Sequence, residues 1–581
     1  MKKIWKLKKL IPENGIILDR DYDTFVSEMR DLKTKIQLPE LVLKLLYSRG
    51  VTDYQKVIKF FKPTYERAYN PFLMKDCEIA CERLLKVIKN SERIMIVGDY
   101  DVDGTCGASM LYLFLKHFSI DSVIYIPNRI EEGYGISEQA IDLAKEENIK
   151  LILSVDCGIT ATDKVEYANK LGMEFIICDH HQPPEKIPEA LAVMDPLRKD
   201  CDYPFKFLCG TGVAYKLIQA VCGKLNQKAF AKSLLDFVAI ATSSDIVPIY
   251  DENRIFVYEG LKMINDKPRP SLKTLIEFAG LKIGNINTTN IVFSLAPRIN
   301  AVGRLGDAKR AVELLTSDDP EKQEELAQTL NDENDKRREF DKSITEEAFN
   351  LYEVSNPNGD DQVIVLHNGE WHSGVIGIVA ARLVEKYNKP SIVLTTVKGV
   401  AKGSARSING FNIYEALKRC EHWLIQFGGH YHAAGLEIEI DKIDGFRKEF
   451  NEIATEEIMK QHLQPEIEID SEIELDDLTP KMKKILSFFE PFGPGNMPPI
   501  FVSRNVQVVG DVKFAKSDTH LFKLKQYKSH KTIDAVFFSS GEYKDKIVKG
   551  AFCDVCFAVE KNVWNNVETY KLKIKDINIL D

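Results

Sequence analysis

The chain of 581 residues contains no apolar run approaching the ~20 residues that cross a bilayer. Its first residues, MKKIWKLKKLIPENG, have the basic flank of a signal peptide but lack the apolar core that should follow. The expected location is therefore the cytoplasm. A disulfide framework is missing too. Eleven cysteines are scattered without repeating spacing, and Cys157, Cys178 and Cys209 sit inside apolar runs, which fits reduced thiols packed as small hydrophobes. Cys553 and Cys556 have metal-like spacing, yet no second pair accompanies them and AFCDVCFAV reads as strand, so strand is preferred over zinc. Internal repeats and low-complexity tracts are absent. So is any excess of positive charge, the net formal charge being -9. That sum does not exclude a nucleic-acid partner, because metal-binding acids and solvated acidic helices inflate the negative count while a local basic groove still holds phosphates.

What is present is ordinary globular composition, 44% hydrophobic and 28% charged, at a length that suits several domains. Three apolar runs stand out: IMIVGDYDVDG, LILSVDCGIT and FIICDHHQPP. Ile94 to Val97, Leu151 to Val155 and Phe175 to Cys178 each read as a short buried strand with helix-like sequence between, the pattern of a parallel sheet. Residues just past the carboxyl ends of such strands share one crevice, so Asp101, Asp103, Asp156, Asp179, His180 and His181 should converge. So many carboxylates repel one another unless cations hold them, and a metal site is the natural reading.

Organisation follows from periodicity. Residues 1–70 read as a basic helical segment. A sheet-and-helix domain spans 71–316, with helical spacing from Asp76 to Lys89. The charged segment 317–353, with acid and base pairs three or four apart, reads as a connecting helix. A smaller mixed domain covers 354–456 (QVIVLHN, PSIVLTTV, GLEIEI). The remainder, 457–581, alternates apolar and polar residues like a small antiparallel barrel, with EIEIDSEIEL as its first strand.

Each acid has a bland reading. A lone D-x-D such as Asp101 and Asp103 is more often a turn that uses aspartate for its own hydrogen bonds. Adjacent histidines at a strand tip are harder to dismiss, and DFVAIATSSDIVP adds Asp245 just beyond an apolar helix-like run. One coincidence is bland; four in one domain are not. Elsewhere, PRINAVGRLG places Arg298 and Arg304 in a Gly-containing loop, and KGSARS gathers Lys402, Ser404 and Arg406, all suited to phosphate, though from the residues alone surface salt bridges are the preferred explanation of such arginines. In VKFAKSDTHLFKLKQYKSHK, lysines interleave with Phe522 and Tyr527, as in a groove that stacks bases or, equally simply, a protected edge strand.

DYDVDG, VDCG, DHH and SSD, in this order and spacing, resemble the four motifs of the DHH phosphoesterase superfamily. NPFLMKD, YPFKFLCGTGVAYKL, PRINAVGRLG, WHSGVIGIVAARL, KGSARS, GGHYHAAG and PFGPGNMPPIF extend the resemblance, along nearly the whole chain, to its branch of single-strand-specific DNA exonucleases. Other branches carry a histidine four residues before the first metal aspartate, where this chain has Val97. The resemblance implies an α/β fold: a parallel-sheet DHH phosphoesterase domain, a connecting helix, a smaller α/β DHH-associated domain and a C-terminal OB-fold β-barrel.

It also implies a 5′ to 3′ exonuclease that releases 5′-mononucleotides by two-metal hydrolysis in DNA repair and recombination. Asp103, Asp156, His180 and Asp245 would hold one divalent ion, and Asp101 with the bridging Asp156 the other. Mn²⁺ is preferred over Mg²⁺ because the donors mix imidazole with carboxylate. His181 would face the scissile phosphate and Asp99 would act from behind the ligands. Arg129, Ser404 and Arg406 would bind a 5′-phosphate; Gly428, Gly429 and His430 would contact the strand. The implied partners are single-stranded DNA, a single-strand-binding protein and a RecQ-type helicase, with a monomeric enzyme and no membrane. Two rivals use the same residues. A phosphodiesterase of very short or cyclic substrates would not need the barrel, and a non-catalytic scaffold would be expected to lose ligands that are all present here.

Overall fold

The computed structural model describes residues 3–8, 20–31, 38–128, 132–133, 135–305, 307–458, 464–515, 518–564 and 567–580. It divides into two compact units. The smaller comprises Met1–Lys6, Arg304–Gly306 and Asn331–Ile467, and the larger holds the rest.

In the larger unit the apolar runs form a five-stranded, wholly parallel sheet in the order Ser122–Tyr125, Ile94–Gly98, Leu151–Val155, Glu174–Cys178, Ala192–Met194. Alternate residues point to opposite faces, and both faces are covered, which is why the strands read as continuous apolar runs. Ile96, Leu153 and Ile176 pack into a core with Leu111 and Val213, from helices Val102–His117 and Gly210–Lys224. Val97, Ile152 and Ile177 pack into a second core with Ile141 and Val165, from helices Glu138–Glu146 and Thr162–Lys170. Five strands, Ile500–Ala515, Thr519–Gln526, Ile533–Phe537, Val567–Leu580 and Phe552–Trp564, close into the C-terminal barrel because the first also pairs with the last.

Two expectations need correcting here. EIEIDSEIEL opens the barrel only in part: Ser471–Glu472 pairs in parallel with Phe501 and Val502 of the strand Ile500–Ala515. Glu466–Ile469 instead pairs with an N-terminal strand, Ile4–Leu7, in a separate two-stranded ribbon. Charge explains the choice, since the basic N-terminus meets an acidic strand through Lys6–Glu466 and Lys8–Glu468 ion pairs. The N-terminal segment is therefore not wholly helical. Nor does it have a core of its own: Phe25, Leu46 and Phe60, from helices Tyr22–Asp31, Glu40–Tyr47 and Tyr54–Phe61, are buried with Phe489, Phe501 and Val555 of the barrel region. The second correction concerns Phe522, which faces the barrel core at 4% exposure and cannot stack bases. Tyr527 is exposed.

In the smaller unit a sheet runs in the order Leu424–His430, Ala433–Ile438, Val400–Arg406, Ser391–Val397, Ile364–His367. The charged segment is a single 36-residue helix, Pro320–Ser355.

Candidate metal centre

The strand tips converge as the parallel topology requires. Asp101 caps helix Val102–His117, its Oδ1 accepting from the amides of Asp103 (2.9 Å) and Gly104 (3.2 Å). One turn on, Asp103 is gripped from another element. Its Oδ2 accepts from the Gly210 amide (2.6 Å) and its Oδ1 from the Thr211 amide (2.8 Å), both in the first turn of helix Gly210–Lys224. That helix can come so close only because residue 210 is glycine: a Cβ there would stand 2.6 Å from the Cα of Asp156. Asp156 itself sits at φ +61°, a strained conformation for a non-glycine residue, with its amide bonded to the carbonyl of Cys178 (2.9 Å).

His180 lies among these carboxylates. Its Nε2 is 3.1 Å from Asp156 Oδ1, 3.5 Å from Asp245 Oδ2 and 3.8 Å from Asp103 Oδ2. Asp245 caps the end of the apolar helix Leu235–Ser244. Three overlapping donor sets result: Asp103, His180 and Asp245; Asp156, His180 and His181; and Asp99, Asp101 and Asp156, each with ligand atoms within 4.8 Å of one another. The third set places the Asp99 carboxylate among the donors themselves, closer in than the sequence reading had it.

Electrostatics mark the site as built for cations. Burial, then repulsion from Asp103, holds the Asp101, Asp156 and Asp245 carboxyls above their ordinary values. Burial lowers His180 and favours the neutral imidazole that ligates metals. His180 Nε2 and Asp245 Oδ2 are buried without a hydrogen-bond partner among the described residues, so the donor set fits a divalent ion. His181 behaves differently. Burial pulls its pKa down, but a 2.7 Å bond from Nδ1 to Asp179 Oδ1, together with the negative charges of Asp179, Asp103 and Asp99, leaves it raised. Asp179 is in turn fixed by the amides of His180 (2.8 Å) and Ile159 (2.9 Å).

Gly210 and Thr211 had no role in the sequence reading, which gathered Asp179 among the converging acids without linking it to His181. Asp179 was legible as the first letter of DHH, but nothing in GTGVAYKL signals an amide grip on a carboxylate 107 residues earlier.

Three family models match: "DHH family, N-terminal domain" over residues 93–242, "DHHA1 domain" over 360–456 and "RecJ OB domain" over 469–576. The single-stranded-DNA-specific exonuclease RecJ of Bacillus subtilis (strain 168) is 37% identical over 552 residues, covering 95% of this chain and 69% of the relative. The chain belongs to the RecJ family. RecJ of Escherichia coli (strain K12) is 34% identical, covering 82% of this chain and 85% of its own length. Among solved structures, RecJ of Thermus thermophilus in complex with Mn²⁺ superposes with a TM-score of 0.80 at 25% identity, covering 100% of this chain and 80% of that one.

The residues expected to hold DNA in a RecJ-family nuclease fall in several places. PRINAVGRLG is not a loop. Arg298 and Arg304 lie on helix Ala296–Leu305, which continues directly from a π-turn, Ile291–Leu295. Continuous helical hydrogen bonding from residue 291 carries through Gly303, the glycine in the expected loop. Arg298 Nη1 donates to the Ser294 carbonyl (2.7 Å), and Arg304 Nη1 to the Gly374 carbonyl (3.1 Å). Lys402, Ser404 and Arg406 alternate along strand Val400–Arg406 and so share one face. Lys402 pairs with Glu437 (3.0 Å), and Arg406 Nη1 donates to Ser404 Oγ (3.2 Å). Ser404 and Arg406 lie against Gly377, in the first turn of helix Ile376–Tyr387, where helix polarity favours an anion. His430 ends the exposed edge strand Leu424–His430. Gly429, at φ +150°, is crowded by Ala433 and Ala434, whereas Gly428 faces open space. Arg129 lies outside the described residues.

Proposed function

We propose that this chain is a 5′ to 3′ exonuclease specific for single-stranded DNA, releasing 5′-mononucleotides with two divalent ions, Mn²⁺ preferred over Mg²⁺. The observation that carries this reading is the set of overlapping carboxylate and imidazole donors at the strand tips of a RecJ-family chain. Asp103, Asp156, His180 and Asp245 hold one ion, and Asp101, Asp156 and Asp99 the other. Divalent ions held by these residues would supply Lewis-acid polarisation of the phosphoryl oxygens and a water acidic enough to attack at neutral pH.

The chain's own residues supply position and charge. The amides of Gly210 and Thr211 fix Asp103, so the ligand need not reorganise during reaction. Asp179 holds the His181 ring through Nδ1 and favours its protonated form, in which Nε2 can donate to an oxygen of the scissile phosphate. Ser404 and Arg406 take the 5′-phosphate, which sets polarity, and Lys402, Arg298, Arg304 and the Gly428 to His430 turn follow the backbone. A single-strand-binding protein and a RecQ-type helicase supply the strand. Digestion of oligonucleotides labelled at either end, with Mn²⁺, Mg²⁺ or EDTA, tests the reading. Metal-dependent mononucleotide release from the 5′ end of single strands, and not from duplexes, is expected; cleavage confined to very short or cyclic substrates refutes it.

A further inference from the structure

Ile246 occupies a position its side chain is poorly suited to. It directly follows Asp245, the C-cap of helix Leu235–Ser244, where a left-handed residue commonly ends a helix. Its φ is +59°. Glycine or asparagine normally fills such a place, because a β-branched side chain in this conformation crowds its own backbone. Burial does not compensate. A C-terminal apolar residue of this kind usually packs back on its helix, yet Ile246 is 81% exposed, the most exposed large apolar residue among those described. The chain thus keeps a strained and solvated isoleucine one residue from a carboxylate of the metal centre.

A second exposed apolar side chain stands on a segment tied to the same turn. The carbonyls of Phe207 and Pro248 both accept from Asn253 Nδ2, at 2.6 and 2.9 Å, which places the Phe207 segment against the turn that Ile246 begins. Phe207 is 44% exposed. Its ring is braced by Phe205 and Tyr250, with centroids 5.9 and 6.1 Å away. Single exposed apolar residues are ordinary. A strained one, a single residue from a donor of the reacting centre and on a turn tied to a segment that carries a braced aromatic, calls for an apolar occupant that arrives with the substrate.

We propose that Ile246, with Phe207, is a stacking surface for the nucleobase next to the scissile phosphate of single-stranded DNA. This rests on the exonuclease reading above. Bases offer flat apolar faces irrespective of sequence, so such a surface grips any single strand, while a base held in a duplex is already stacked and cannot be shared.

The test uses Ile246→Gly and Ile246→Asn in the full chain, on 5′-phosphorylated single strands with normal or abasic residues at the first two positions. Both substitutions suit the left-handed backbone, so thermal stability should be unchanged or raised. KM on normal DNA should rise about fivefold to tenfold, more than kcat falls. The wild-type preference for normal over abasic ends should collapse towards unity. A fall in stability would assign Ile246 a packing role and overturn the proposal. So would unchanged KM, or equal losses on normal and abasic strands. Wild type that digests no single-stranded DNA would overturn the exonuclease reading together with this one, whereas normal digestion by wild type and variants alike would sink only the stacking surface.

Discussion

Replacing Gly210 by alanine should disable the metal centre without touching a ligand. The added Cβ would stand 2.6 Å from both Cα and Cβ of Asp156 and 2.9 Å from its amide nitrogen. Ordinary carbon contacts are about 3.5–4 Å, so roughly 1 Å must be absorbed. Asp156 cannot retreat, being held by its amide bond to Cys178 at the tip of a fully buried strand and already at φ +61°. The start of helix Gly210–Lys224 must move instead, and with it the two amides that hold Asp103 at 2.6 and 2.8 Å. Overpacking of this kind costs about 1–3 kcal/mol of stability. A ligand displaced by about 1 Å costs on the order of 10²-fold in rate. Initial rates on 5′-labelled single strands, beside thermal unfolding with and without Mn²⁺, measure both. A variant within threefold of wild-type activity whose melting temperature Mn²⁺ raises as much as it does in wild type would refute the argument.

Asp156→Ala should abolish hydrolysis while retaining DNA binding, as read by turnover beside fluorescence anisotropy; wild-type-like turnover would defeat the ligand assignment. Arg406→Ala should impair digestion of 5′-phosphorylated strands more than of 5′-hydroxyl strands, and equal losses would count against a 5′-phosphate role. Burial raises the carboxyl of Asp195 to about 7, and its Oδ2 has no hydrogen-bond partner among the described residues. The folded chain therefore holds this proton more tightly than the unfolded one. The resulting stability is fully present below about pH 4 and is lost as pH rises through about 7, amounting to roughly 4 kcal/mol at most. Asp195→Asn should accordingly gain stability relative to wild type between pH 5 and pH 8 in chemical denaturation, and a pH-independent difference would refute it.

Much of the site was legible because a parallel sheet obeys a simple rule. Runs buried on both faces announce the strands, and whatever follows their carboxyl ends meets in one crevice. Asp101, Asp103, Asp156 and His180 could therefore be gathered from spacing, whereas Asp245, at the end of a helix, was joined to them only by its motif. Alternation served the barrel less well. Phe522 and Tyr527 read alike in a lysine-rich strand, but Phe522 lies in strand Thr519–Gln526 and points into the core, while Tyr527 falls just past its end. Arg298 and Arg304 were misplaced because glycine suggested a loop where a π-turn carries the helix onward.

By itself the sequence determined the strand order of chemistry, the donor types and the family, since these depend on residue identity and on local periodicity. Tertiary structure alone decided which groups act on which. The helix Gly210–Lys224 closing on Asp103, Asp179 turning to His181 instead of joining the ligands, and the basic N-terminal strand claiming an acidic strand over 450 residues away all depend on approaches between distant segments. Periodicity records which face of an element is buried, but it does not record what lies opposite, because that is set by how whole elements pack.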